Sequence, residues 1–193
     1  NNKYYKMNIE RKNIDEVISG YRTLTGKATM MPKWSMGFWQ SRERYNTQDE
    51  ILNTVAEFRK RKIGLDNIVL DWRYWREGQW GSQEFDPARF PDPKGMMKTL
   101  HEKYNTNLMI SVWAKFYEDT QNYKDLDAKG YILKRNVAEN RKDWLGFNNA
   151  IYDPYNPDAR KAFWELIKKN IYSTGIDAWW MDASEPDIHS NMP

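Results

Sequence analysis

The sequence predicts an α/β fold, the N-terminal half of a (β/α)8 TIM barrel with about four parallel strands and flanking helices. Three observations predict it. Strand and helix patterns alternate along the chain. The segments 67–71 and 108–113 are nearly unbroken apolar runs, as expected of parallel strands covered on both faces. Finally, Asp71, Trp113 and Asp182 stand at the C-terminal ends of successive strands, where barrels keep their functional side chains. A doubly wound sheet would instead carry a glycine-rich phosphate loop after a strand, and none is present. A full barrel takes about 250 residues. This 193-residue chain reaches its fourth strand near its end, so an incomplete barrel is expected.

Residues 1–12 are read as a lead-in and 13–193 as the half barrel. A helix is expected over 13–26, with Asn13 as N-cap, Glu16 closing a capping box, and Val17, Tyr21 and Leu24 on one face. Gly26 ends it. After Pro32, residues 36–41 form the first strand. Thr47 and Glu50 make a second capping box, followed by Ile51, Leu52, Val55 and Phe58 at helical spacing, with Lys62 at the edge. Gly64 breaks that helix before the strand 67–71. A long aromatic and charged loop runs over 72–91, a length that in compact domains often signals function. Asp92-Pro93 opens a helix carrying Met96, Met97, Leu100 and Tyr104, with the methionines as core filler. The third strand is 108–113, and a weaker helix spans 120–129. Residues 131–155 show no assignable pattern. Asn156-Pro157 caps the last helix, with Ala159, Ala162, Phe163, Leu166, Ile167 and Ile171 inward. Gly175 closes it, and the strand 176–181 leads to Asp182 and Glu185.

Composition narrows the function classes. Thirty basic and 27 acidic residues are well mixed, for a net charge of +3, so no nucleic-acid partner is expected. The densest basic run, Arg59-Lys60-Arg61-Lys62, suits the negative end of a helix dipole. With no cysteine and two distant histidines, neither a metal site nor a cofactor is expected. No apolar run has transmembrane length, and no membrane partner is expected. The start Asn1-Asn2-Lys3 is neither an initiator methionine nor a signal peptide, which reads as a piece cut from something longer and leaves the compartment open. Aromatic residues make up 15% of the chain. Such rings fill cores, but their faces also suit sugars and nucleobases.

The chemistry is concentrated at the strand ends. Alternation puts Ala178, Trp180 and Asp182 on one strand face and Trp179 and Met181 on the other. Asp71 is expected two strands away in the same mouth, with Trp113 between as a stacking wall. A carboxylate framed by aromatic rings and a second carboxylate suits an oxocarbenium-like transition state. Asp71 is equally suited to gripping sugar hydroxyls. A non-catalytic carbohydrate-binding module would keep the aromatics but have no need of Asp182.

Four stretches together carry a resemblance: Ile68-Val69-Leu70-Asp71-Trp72, Phe85-Asp86-Pro87-Ala88-Arg89-Phe90-Pro91-Asp92-Pro93, Ile110-Ser111-Val112-Trp113 and Trp179-Trp180-Met181-Asp182-Ala183-Ser184-Glu185. In order and spacing the chain resembles glycoside hydrolase family 31, and within it the bacterial α-xylosidases. The resemblance implies a retaining α-glycosidase acting on an oligosaccharide or glycoside, with Asp182 as the nucleophile that forms a covalent glycosyl-enzyme. It implies that Asp71, Trp113, Trp180 and Glu185 bind substrate, with Glu185 assisting Asp182 by hydrogen bonding. Trp180 stands where some α-xylosidases carry a lysine. Many α-glucosidases have Asp-Met-Asn-Glu where this chain has Asp182-Ala183-Ser184-Glu185, which favours α-xylosidase over α-glucosidase, while the motifs leave hydrolysis and transglycosylation equally open. The family's acid/base residue comes later in the barrel, so this chain by itself is expected to be inactive. Its open strand edges are expected to favour self-association.

Overall fold

The computed structural model describes residues 13–183. The chain divides into two compact units, with the boundary between Ser35 and Met36. In the first, helix α1 (Ile14–Thr25) starts where the Asn13 side chain accepts the Glu16 N–H at 2.9 Å. The Glu16 carboxylate in turn accepts from the Asn13 side-chain amide at 3.3 Å. Gly26 ends the helix at φ 87°, its N–H donating to the Arg22 carbonyl.

The second unit is built on a four-stranded parallel sheet in the order β1 (Trp39–Gln40), β2 (Asn67–Leu70), β3 (Asn107–Trp113), β7 (Ala178–Asp182). Crossing helices are α2 (Gln48–Lys60), α3 (Pro93–Lys98) and α6 (Pro157–Asn170). This is part of a TIM barrel that does not close within the described residues. The sheet faces are unequal. Ile68, Leu70, Leu108, Ile110 and Val112 are fully buried in one core with Ile51, Val55, Met96, Met97, Phe163 and Ile167 from the helices. The opposite face carries Val69, Met109, Ser111, Trp113 and Trp180, and there Trp180 is 38% exposed. The helix side is thus packed while the barrel interior is half open.

Several expectations are refined. The first strand is two residues long, because Phe38 N–H and the neighbouring backbone are engaged by Asp66 instead of a longer ladder. Thr47 caps α2 as expected, accepting from Glu50 N–H at 3.1 Å. The Glu50 carboxylate, however, accepts from Asn46 N–H at 2.7 Å and from Arg42. The helix from Pro93 relaxes into a π-helical turn over Thr99–Lys103. In the basic run, Arg59 does more than complement a dipole. Its guanidinium donates to the carbonyls of Leu65 and Tyr104 and to the Thr106 hydroxyl, tying α2 to the start of β3.

The largest departure lies in the stretch without a readable pattern. Between β3 and α6 the chain forms a second, three-stranded antiparallel sheet in the order β4 (Lys115–Tyr117), β6 (Asn149–Tyr152), β5 (Ile132–Leu133). It carries the short helices α4 (Gln121–Asp127) and α5 (Arg135–Ala138). The simple alternation of strand and helix is therefore interrupted once. Strands this short lie below the length at which alternation can be read.

The motif behind the resemblance turns out to brace the long loop after β2. Arg89 donates to the Asp86 carboxylate at 2.8 Å and to the carbonyls of Trp75 and Asn46. Phe90 is buried, Phe85 packs between it and Tyr74, and Asp92 caps α3 through Gly95 N–H. Those residues hold the loop, and Asp86 and Arg89 also line a cavity together with Arg44, Arg73 and Tyr117.

Candidate active site

The register of the parallel sheet decides which side chains meet. Ser111 pairs with Trp180 and Trp113 with Asp182, while β2 aligns Leu70 with Ile110, one residue before Asp71 and Ser111. Paired residues in a parallel sheet point the same way. Asp71, Ser111, Trp113, Trp180 and Asp182 therefore share the interior face at its C-terminal end. Trp179 points the other way, onto Trp164 of α6 and Tyr172, which fixes the orientation of β7. Glu185 lies outside the described residues.

Asp71 accepts the Trp72 N–H at 2.7 Å. The Ser111 hydroxyl, on the same interior face, accepts from the Trp113 indole N–H at 3.1 Å. Ser111, fully buried and not singled out from sequence, thus lies within reach of both the carboxylate and the aromatic wall. Burial pushes the Asp71 carboxyl above its ordinary pKa, and the nearby charges of Asp182 and Glu43 add to this against the hydrogen bonds from Trp72 and Ser111. The two carboxylates are therefore within electrostatic reach. Asp182 Oδ1 accepts the Ala183 N–H at 2.9 Å, with Ala183 held in the left-handed region at φ 44°. A non-glycine residue in that conformation is strained, and strain of this kind gathers at functional sites.

The raised pKa has a consequence for stability. An acid whose folded pKa lies above its unfolded value of 3.8 costs stability once pH exceeds that range, and the cost grows until pH passes the raised folded value. Asp71→Asn is expected to melt at a higher temperature than the parent at pH 7 and at the same temperature near pH 3. Thermal melts at the two pH values check this; an equal change at both would remove charge as the cause.

The aromatic wall is larger than the strand ends alone indicate. Trp113 meets Trp80 at a centroid distance of 4.8 Å and Trp144 at 6.3 Å. Trp72 meets Trp80 at 5.4 Å and Trp144 at 6.4 Å. Trp80 is the buried hub, while Trp144, on a turn of the inserted sheet, remains 64% exposed. No sequence signal placed Trp144 here, because its segment shows no periodicity. Beside this mouth lies a cavity of about 400 Å³ lined by Arg44, Arg73, Trp75, Tyr117 and Phe147 among others. Arg44 and Arg73 both lie over the Trp72 ring, at 5.1 and 5.7 Å. Among the described residues no cluster of acidic, histidine or cysteine side chains is built to hold a metal, and no helix is long and apolar enough to cross a membrane.

Two carboxylates and a set of tryptophans at the open end of parallel strands fit the comparisons with known proteins. An α-xylosidase of Saccharolobus solfataricus is 46% identical over 174 residues, covering 90% of this chain and 22% of that protein. The solved α-xylosidase of Xanthomonas citri superposes with a TM-score of 0.86 at 57% identity, over 92% of this chain and 20% of that one. An α-xylosidase from a soil metagenome, solved with xylose, gives a TM-score of 0.80 at 36% identity over 89% of this chain and 25% of that chain. The chain thus spans only about a fifth to a quarter of the length of these relatives. The model of the glycosyl hydrolases family 31 TIM-barrel domain matches residues 28–193, and the chain belongs to glycoside hydrolase family 31.

Proposed function

We propose that the protein carrying this chain is a retaining α-glycosidase that releases α-linked xylose from oligosaccharides. The carrying observation is Asp182 on the interior face at the end of β7, paired with Trp113 and within reach of Asp71. With Oδ1 anchored by the Ala183 N–H, Oδ2 is the oxygen free to attack. It forms a bond to the anomeric carbon as the glycosidic C–O bond breaks, and a protonated carboxyl group gives its proton to the departing oxygen. Water, deprotonated by that same group, then cleaves the glycosyl ester and restores Asp182. Asp71 holds sugar hydroxyls, Trp113 and Trp180 bound the sugar ring, and Glu185 is assigned hydrogen bonding to Asp182 from sequence alone.

Family resemblance puts the acid/base after Pro193, so the 193-residue chain alone is expected to turn over no aryl α-xyloside. Activity of the isolated chain that disappears in Asp182→Ala would overturn that assignment. The reading as a whole is tested by treating a full-length enzyme that contains this sequence with a fluorinated xylosyl donor and mapping the labelled peptide. Label on Asp182 supports it. No label, with retained binding of xylosides, favours a non-catalytic carbohydrate-binding domain.

A partner follows from the open edges. Met181 is half exposed on the β7 edge, and Phe38 beside β1 is 48% exposed. We expect the isolated chain to self-associate through these strands, which sedimentation over a concentration series reads directly.

A further inference from the structure

The turn that carries Trp144 is held by a buried ion pair that the proposed reaction does not use. Lys115, on β4, is 8% exposed. Its ammonium donates to Asp143 Oδ2 and lies 4.2 Å from the Trp80 ring centroid and 4.4 Å from that of Trp144. Asp143 also accepts from the Tyr117 hydroxyl at 2.8 Å and, through Oδ1, from the N–H groups of Leu145 and Phe147. Its own N–H donates to the Phe147 carbonyl, closing a tight turn over residues 143–147. One carboxylate therefore folds the turn and, through Lys115, fixes the ring at its tip.

Stability alone is a poor account of this arrangement. Removing two charges from water is expensive, and apolar residues of similar volume usually stabilise a fold as well as a buried pair does. The ammonium also lies against an indole that stays 64% exposed and gains little from burial. What it supplies is a fixed orientation. An exposed tryptophan on an untethered turn would sample several rotamers and lose that freedom on binding.

We infer that Lys115 and Asp143 are positioning residues for the sugar site, locking Trp144 as a preformed wall beside Trp72 and Trp113. The inference rests on the glycosidase reading of this mouth, but half of its test does not. In the full-length enzyme labelled with 5-fluorotryptophan, the Trp144 resonance is identified by its loss in Trp144→Phe. Lys115→Met/Asp143→Asn removes both charges while keeping an oxygen for the turn N–H groups and an amide N–H that can donate to the Tyr117 hydroxyl, which limits misfolding. The Trp144 signal is expected to shift and broaden in it. An unmoved signal overturns the clamp, whatever the enzyme's substrate.

Kinetics on an aryl α-xyloside give the other half. The double variant and Trp144→Ala are each expected to lower kcat/KM about tenfold, mostly through KM, on the scale of one lost aromatic stacking contact. Lys115→Arg, which keeps the charge, should stay within about threefold of the parent. Combined with Trp144→Ala, the double variant should add less than a further twofold loss. A second tenfold loss in that background would show that the pair acts elsewhere and overturn the inference. A parent enzyme with no activity on α-xylosides but a responsive Trp144 signal would instead sink the substrate reading and leave the clamp standing.

Discussion

Asp182→Ala in the full-length enzyme is expected to reduce turnover of an aryl α-xyloside by roughly 10⁴-fold or more, the scale on which removing a catalytic nucleophile acts. The fold should survive, because the Asp182 carboxylate accepts a hydrogen bond from the neighbouring Ala183 N–H and the residue ends its strand. The variant also gives a positive test. With the carboxylate gone there is room at the anomeric carbon for a small anion. Azide, given a donor whose leaving group needs no proton, should attack from the vacated side and yield the β-xylosyl azide, the product of one inversion. Recovery of the α-azide, or no rescue with retained activity, would mean that another group is the nucleophile.

The second large effect is structural. Gly81→Ala is expected to destabilise the fold by about 3 kcal/mol, from a strained backbone together with an overpacked contact. Gly81 has φ 93°, and a methyl group there would lie 2.7 Å from the Lys115 carbonyl oxygen and the Phe116 Cα. Neither atom can retreat. Lys115 and Phe116 belong to β4, paired with β6, and Phe116 is fully buried. The Asn122 amide meanwhile holds the Gly81 and Ser82 carbonyls, and Tyr117 N–H holds that of Trp80. Gly78, at φ 71°, is the control, because its added methyl meets only the Phe147 ring at 3.5 Å. Urea midpoints should place Gly81→Ala well below Gly78→Ala. Equal midpoints would show that φ, and not the contact with β4, sets the cost. A loss of about 3 kcal/mol is a large share of the roughly 5–15 kcal/mol that holds a domain together.

What was legible in the sequence was what repeats or terminates. The runs ending in Asp71 and Trp113 read as strands because parallel strands covered on both faces are continuously apolar. Asp92-Pro93 and Asn156-Pro157 read as helix starts, and both cap as expected. The strand-end carboxylates were legible for the same reason, since an acid after an apolar run marks where the strand surfaces. The inserted sheet was not legible. Its strands span two to four residues, too few for alternation to declare itself. With it were lost Trp144, Lys115 and Asp143, whose meeting depends on a turn between distant segments. Ser111 was hidden differently: a lone serine in an apolar strand gives no hint of two partners on its own face. The run from Phe85 to Pro93 signalled the family correctly while saying nothing of its work, which is to brace a loop.

The inserted sheet also bears on the order of assembly. β1, β2 and β3 pair with neighbours separated by one helix and its loops, whereas β7 reaches β3 only after the whole excursion through β4, β5, β6 and α6. Bringing distant segments together costs chain entropy that nearer pairings do not, and long-range contacts of this kind slow folding. Prior collapse of the three-stranded sheet shortens the effective span. Because Trp113 meets Asp182 in that β3–β7 ladder, the mouth proposed as the sugar site is expected to form with the slowest pairing of the sheet. A nascent chain is expected to pack α2 and α3 on β1 to β3 first and to bring Asp182 beside Trp113 last.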